Sequence, residues 1–254
     1  MSQRTAIVIP HFDHVDQFRS VLPRLAEQNL PLIIVDDASP ERAYADLLSL
    51  IEKHAPHAIV ARHEHNLGKG GAVATGLRTA LSRGFTHALQ IDADGQHDTG
   101  QISRFCVAAG EHPDALICGR PVFDKDISGL RYYARYITLA FSWIESISTQ
   151  IEDAMCGFRM YPLAPTVALL DSGKLGRRMA FDPELLVRAV WANIPLRYLP
   201  IAVHYPEGGK SHFHYLRDNA EISWMHTRLI VGMLLRLPTL LQRKLSDRQP
   251  ATPP

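Results

Sequence analysis

Apolar positions along the first 120 residues alternate between two periods. Short unbroken apolar runs predict buried strands over 5–10, 32–35, 58–61, 87–91 and 115–118. Between them the spacing becomes helical. Phe18, Val21, Leu22 and Leu25 recur at i, i+3, i+4 and i+7, and Leu47, Leu48 and Ile51 mark a second stripe. That second helix is predicted to begin near Pro40, with Ser39 as its N-cap. Val73, Leu77, Ala80 and Leu81 mark a third. Strands alternating with helices imply an α/β fold, a mostly parallel sheet covered on both faces. After Gly119 the pattern loosens into a helix over 132–147, a strand over 153–161, a helix over 181–193 and a strand over 196–205. Residues 222–241 are apolar around nearly the whole circumference, interrupted by Arg228, Arg236 and Pro238. The chain therefore divides into an α/β domain over 1–215 and an amphipathic helical tail over 216–254.

In such sheets ligands bind beyond the carboxyl ends of the strands. Four segments fall there: Pro10-His-Phe-Asp-His14, Asp36-Asp-Ala-Ser39, Asn66-Leu-Gly-Lys-Gly-Gly71 and Asp92-Ala-Asp94. Carboxylates at the end of a buried strand cost free energy unless something needs them. A pair of them suits a hard divalent cation held against a diphosphate. Read in isolation, Asp-x-Asp is equally a solvated turn. The glycine-rich loop at a helix start on the same edge favours the anion-site reading. It is not a P-loop, because His63 and Gly70 stand where that motif requires glycine and Ser or Thr.

These residues resemble the family 2 glycosyltransferases of GT-A fold, nearest to the dolichol- and polyprenyl-phosphate sugar synthases. The resemblance runs over about residues 5–215. It rests on Ile7-Val-Ile-Pro10, Ile34-Val-Asp-Asp-Ala-Ser39, Asn66-Leu-Gly-Lys-Gly70, Asp92-Ala-Asp-Gly-Gln96, Cys118-Gly-Arg120, Asp153-Ala-Met-Cys-Gly-Phe-Arg159 and Phe181-Asp-Pro-Glu184. It implies transfer of a sugar, with inversion, from a nucleoside-diphosphate sugar to a lipid-linked acceptor, most simply a polyprenyl phosphate. Transfer to a hydroxyl is the alternative, and a non-catalytic nucleotide-sugar-binding module a remote one.

The same resemblance assigns roles. Asp92, Asp94 and Gln96 would hold Mg²⁺ or Mn²⁺. Pro10, Asp13, Asp36, Asp37, Lys69, Asp92 and Arg131 would bind the nucleotide sugar. Asp153 would be the base for a hydroxyl acceptor, or would orient the sugar or a basic residue if the acceptor is already anionic. A structural ion pair of Asp153 with Arg159 is the competing reading. Arg120 and Lys210 would take the phosphates of a lipid acceptor. His204-Tyr-Pro206 and His11-Phe-Asp-His14 depart from the family pattern.

Bulk properties narrow the partners. The net charge of +1 in 254 residues argues against a nucleic-acid binder. Three scattered cysteines give neither a disulfide framework nor a thiolate zinc site. The pairs His63/His65 and His212/His214 lack further ligands for zinc. No uncharged run is long enough to span a bilayer, so the expectation is a cytoplasmic protein, peripheral at the membrane. Trp224, Met225, Leu229, Met233 and Leu237 would form a face of the tail that meets a membrane surface or, as the alternative, packs on its own domain or in a dimer.

Overall fold

The computed structural model describes residues 3–122, 129–173, 175–203 and 215–246, with side chains at 129–134, 215–217 and 246 outside the description. Seven strands form one sheet: β1 (Thr5–His11), β2 (Leu32–Asp36), β3 (Ile59–Arg62), β4 (His87–Gln90), β5 (Leu116–Val122), β6 (Arg159–Pro162) and β7 (Leu196–Ala202). Their order is β3-β2-β1-β4-β6-β5-β7. All pairs are parallel except those of β6, which runs antiparallel between β4 and β5.

Eight α-helices accompany the sheet among the described residues: α1 (Val15–Ala26), α2 (Glu41–His54), α3 (Lys69–Ser82), α4 (Ile102–Glu111), α5 (Gly129–Ser146), α6 (Leu163–Asp171), α7 (Phe181–Trp191) and α8 (Tyr215–Ser246). Side chains of β1 alternate between two cores. Ala6 and Val8 face the layer of α3, α6 and α7, together with Leu77, Leu163 and Phe181. Ile7 and Ile9 face the layer of α1, α2 and α4, together with Phe18, Leu47 and Phe105. Burial on both faces is why the central strands read as unbroken apolar runs.

Strand β1 lies between β2 and β4, pairing Val8 with Ile33 on one side and Gln90 on the other. Successive connections leave β1 in opposite directions there, which opens a crevice at the carboxyl ends of these strands. The four predicted ligand segments meet at that edge.

Three local expectations change. The run 153–161 is a strand only from Arg159, because Asp153 Oδ1 accepts the amides of Met155 and Cys156 and closes a turn. Ser39 is not the cap of α2. Pro40 holds that position, and Ser39 Oγ instead accepts the amide of Asp13, whose φ is +51°. Helices α4 and α6 were not anticipated from the spacing.

The tail is one long helix that packs on α5 and α7. His226 Nδ1 meets Glu145 of α5 at 2.6 Å, and Arg228 meets Glu184 of α7 at 3.0 Å. Met225, Leu229 and Met233 follow the packing alternative to a membrane face and are buried against the protein. Trp224 of that expected face is exposed, in an apolar arc with Val231, Leu234, Leu235, Leu241 and Leu245. Among the described residues no helix is long and apolar enough to cross a membrane.

Candidate active site

The end of β2 supplies Asp36 and Asp37, and both are tied inward. Asp36 is fully buried, 3.3 Å from His11 Nδ1 and 3.4 Å from Arg62 Nε, and accepts the Ser39 amide at 3.2 Å. Burial pushes its pKa up, but the hydrogen bonds from His11 and Ser39 outweigh burial and leave it lowered. Asp37 clamps the glycine-rich loop: Oδ1 accepts Leu67 N at 2.8 Å, and Oδ2 accepts Gly68 N at 2.7 Å. His63 completes the clamp, 2.7 Å from Asp37 and 2.9 Å from Thr75. This accounts for His63 without a metal.

The loop has glycines because its neighbours leave no room. Gly68 has φ +83°, and a Cβ there would lie 2.6 Å from the Arg177 carbonyl. A Cβ on Gly70 would collide with Phe181. The tight path starts α3 at Lys69 and aims its ammonium group into the crevice. Lys69 Nζ lies 2.8 Å from Asp92 Oδ2 and 3.5 Å from Asp182 Oδ2. Burial disfavours its charge, yet Asp182 and Asp92 reverse that and raise its pKa above the usual lysine value.

Asp92 and Asp94 follow β4. Burial raises the Asp92 pKa, but Lys69 and His97 pull it well below the carboxylate range. His97 Nε2 stands 3.8 Å away, and its ring packs on Phe158. Asp94 behaves oppositely: burial and the Asp92 charge raise its pKa. Gln96 enters through its backbone, its N–H donating to Asp94 Oδ1 at 3.0 Å.

A metal ion between these carboxylates can be tested against the donor atoms present. Among the described residues, no three His, Cys, Asp or Glu side chains converge into a metal cage. Asp92 Oδ1 is buried and accepts no hydrogen bond among the described residues. The mutual repulsion of Asp92 and Asp94 also favours an added positive charge. Two carboxylates completed by phosphate oxygens and water are a usual Mg²⁺ set, so the residues fit such an ion.

Residues with no binding or catalytic role in the sequence reading complete the centre. Arg159 is fully buried, 3.3 Å from Asp182 Oδ1, and donates to the Ala154 carbonyl at 3.0 Å. Arg159, Asp182, Lys69 and Asp92 thus form a chain of alternating charge. Asp153 does not pair with Arg159; its Oδ2 takes Arg135 of α5 instead. Gly157 roofs the chain. A Cβ there would lie 2.6 Å from Lys69 Nζ, 2.9 Å from Gln90 Nε2 and 3.0 Å from Asp92 Oδ2. Asp182 and Gly157 stood inside recognised motifs, but only the packing shows what they touch.

The remaining candidates are spread out. Pro10 pairs with Val35 in the sheet, and Asp13 begins the β1–α1 loop on the same edge. Arg120 lies at the end of β5 in an exposed pair with Glu152 at 2.7 Å. Arg131 is in α5 with its side chain outside the description. Lys210, His212 and His214 lie outside the described residues.

Strands ending in a clamped glycine loop, a half-buried lysine and paired carboxylates match the family model for glycosyl transferase family 2 over residues 6–175. The chain belongs to glycosyl transferase family 2. A polyprenol monophosphomannose synthase of Mycolicibacterium smegmatis is 30% identical over 216 residues, covering 83% of this chain and 81% of that protein. A UDP-N-acetylglucosamine–dolichyl-phosphate N-acetylglucosaminyltransferase of Methanococcus voltae is 24% identical, covering 79% and 86%. Among solved structures, glucosyl-3-phosphoglycerate synthase of Mycobacterium tuberculosis, in complex with Mn²⁺, UDP-glucose and phosphoglyceric acid, superposes with a TM-score of 0.61. That match has 13% identity and covers 92% of this chain and 79% of the other. It carries the GT-A fold: the seven-stranded, mostly parallel sheet with its flanking helices is the sheet expected from the hydrophobic pattern.

Proposed function

We propose that this glycosyltransferase moves a sugar, with inversion, from a nucleoside-diphosphate sugar to a lipid carrier phosphate. Relatives named for polyprenyl- and dolichyl-phosphate substrates support that acceptor class. One observation in the site supports it further: both carboxylate oxygens of Asp153 are engaged, Oδ1 by two backbone amides and Oδ2 by Arg135. A carboxylate held this way is poorly placed to take a proton, and an anionic phosphate acceptor needs no base. Arg135 and Asp153 then orient the acceptor side of the crevice. Arg120, with Lys210 and Arg131, supplies positive charge for the two phosphates.

Negative charge grows on the diphosphate as the sugar leaves, and holding it is most of the catalytic task. Lys69, at the start of α3 and steadied by Asp182, is the cation this chain brings to that charge. A divalent ion held by Asp92, Asp94 and Gln96 adds Lewis-acid stabilisation of the diphosphate when bound. Mn²⁺ beside UDP-glucose in the mycobacterial synthase supports this reading. Asp36, Asp37, Asp13 and Pro10 shape the nucleoside end of the crevice. In this reading Asp37 acts by holding the loop.

The exposed apolar arc of α8 supports docking of the enzyme on a membrane surface, where a lipid carrier resides. The test is a thermal-shift panel of nucleoside diphosphates and their sugars with Mn²⁺, followed by transfer assays on polyprenyl phosphate and on polyprenol. Stabilisation by one nucleotide class and product only from the phosphate is the expected result. Product from the hydroxyl alone overturns the acceptor assignment.

A further inference from the structure

Outside the crevice, a cavity of about 330 Å³ opens between the segment before α7 and the first half of α8. Its lining includes Asn66, Arg177, Arg178, Trp224, Arg228 and Glu221. Three arginines and one glutamate are among the residues that line it. Glu221 lies 4.0 Å from Arg178 Nε, and Glu184, behind the wall, accepts from Arg228 at 3.0 Å. At its rim Asn66 donates to the Asp37 carbonyl, while its Oδ1 is buried and accepts no hydrogen bond among the described residues. The cavity thus offers donors for an anion and one acceptor for a hydroxyl. Guanidinium forks match phosphate geometry.

Its mouth has a distinct chemistry. Trp224 is 63% exposed, and Trp224, Arg228, Val231 and Leu235 follow one another at i, i+4, i+7 and i+11 on α8. The polar cavity therefore ends where the exposed apolar arc of the helix begins. A ligand filling both has a phosphate, a hydroxyl and an apolar body.

We propose that this cavity binds the headgroup of an anionic, hydroxyl-bearing phospholipid in the bilayer, separately from the donor and acceptor sites. Arg177 and Arg178 hold the phosphate, Asn66 Oδ1 accepts from the headgroup hydroxyl, and Trp224 lies at the acyl boundary, where amphipathic aromatic rings settle. The cavity shares a wall with the catalytic loop. A Cβ on Gly68 would meet the Arg178 side chain at 2.5 Å, and Gly71 N donates to the Arg177 carbonyl at 3.1 Å. A filled headgroup site would brace the loop that carries Lys69. The proposal rests on the reading of α8 as the membrane-facing helix.

The test is vesicle flotation of the full chain with phosphatidylcholine alone and with added phosphatidylglycerol. Arg177→Gln/Arg178→Gln keeps the residue-178 stem and the residue-177 backbone against Gly68, and unchanged near-ultraviolet circular dichroism confirms its fold. Wild type should favour the phosphatidylglycerol vesicles, and the double variant should lose about thirtyfold in partitioning to them, at roughly one decade or less per arginine near an anionic surface. Arg19→Ala/Arg24→Ala on α1 removes equal charge and should lose far less; an equal loss reduces the effect to net charge and overturns the site. Glycerol 1-phosphate in solution tests the other source of this chemistry. If it stabilises wild type but not the Arg177→Gln/Arg178→Gln variant while vesicle partitioning is unaffected, the ligand is a free phosphate ester and the lipid assignment fails. Flotation of wild type that is abolished by Leu234→Glu/Leu235→Glu yet indifferent to the arginines overturns the cavity alone. No flotation of wild type on either vesicle overturns the docking of α8 and this site with it.

Discussion

The two halves of the crevice are built differently. On the donor side, from β3 to β4, charged groups are buried or half-buried and tied to the backbone or to each other: Asp37 to two amides, Asp36 to His11 and Ser39, Lys69 to Asp92 and Asp182. On the acceptor side, from β5 to α5 and α8, Arg120 and Glu152 pair in solvent, and Tyr136, Ile137, Ile144, Leu234 and Leu235 expose apolar surface. In the proposed reading the donor side is preorganised for the charge that develops on the diphosphate. The acceptor side presents apolar surface that is left exposed among the described residues. Rigidity belongs where charge develops, because fixed groups need not reorganise during the reaction.

Breaking the donor side should have the largest effect. Asp94→Ala removes one of two carboxylates facing the diphosphate and should lower transfer by about 10²–10³-fold. Calorimetry with Mn²⁺ and the nucleotide selected by the thermal-shift panel should show weakened binding; unchanged affinity removes the metal role. Gly70→Ala forces a methyl group into Phe181 and should destabilise the fold by about 1–3 kcal/mol, read as a lower urea midpoint at constant slope. An unshifted midpoint means that the α3–α7 contact can yield, against the rigidity argued for this side.

The acceptor side should answer more mildly. Asp153→Asn keeps an acceptor for the Met155 and Cys156 amides but weakens the Arg135 pair. With an anionic acceptor the rate should fall by less than about tenfold, whereas an essential general base contributes about 10²–10⁴. A loss in that larger range, with donor binding intact, restores the hydroxyl reading. Smallest of all, Arg120→Gln should change stability by about 0–1 kcal/mol, as exposed ion pairs do, while raising KM for the lipid phosphate. A large fall in the thermal midpoint would make Arg120 part of the fold instead.

Much of the donor side was readable in one dimension. Unbroken apolar runs marked β1, β2 and β4 because parallel strands are buried on both faces. Asp36, Asp92 and the glycine loop stand immediately after strands, so their place on the ligand-binding edge followed from chain direction. Ser39 was misread because capping preference is local, whereas its hydroxyl joins two loops through Asp13 N. The face of α8 stayed open to two readings because Met225, Leu229 and Met233 form an apolar stripe whichever surface they meet. Only the packing against α5 and α7 turns that stripe inward, while Trp224, read on the same face, stays outside with Leu235.

Sequence by itself determined the alternating α/β order, the ligand-binding edge and the family motifs, because hydrophobic period and residue spacing act over a few neighbours. Tertiary structure alone decided which charges meet. Arg159 takes Asp182 and leaves Asp153 to Arg135, and Lys69 reaches Asp92 under Gly157. Those pairings join residues far apart in the chain, so desolvation and packing geometry select them and no local pattern records the choice.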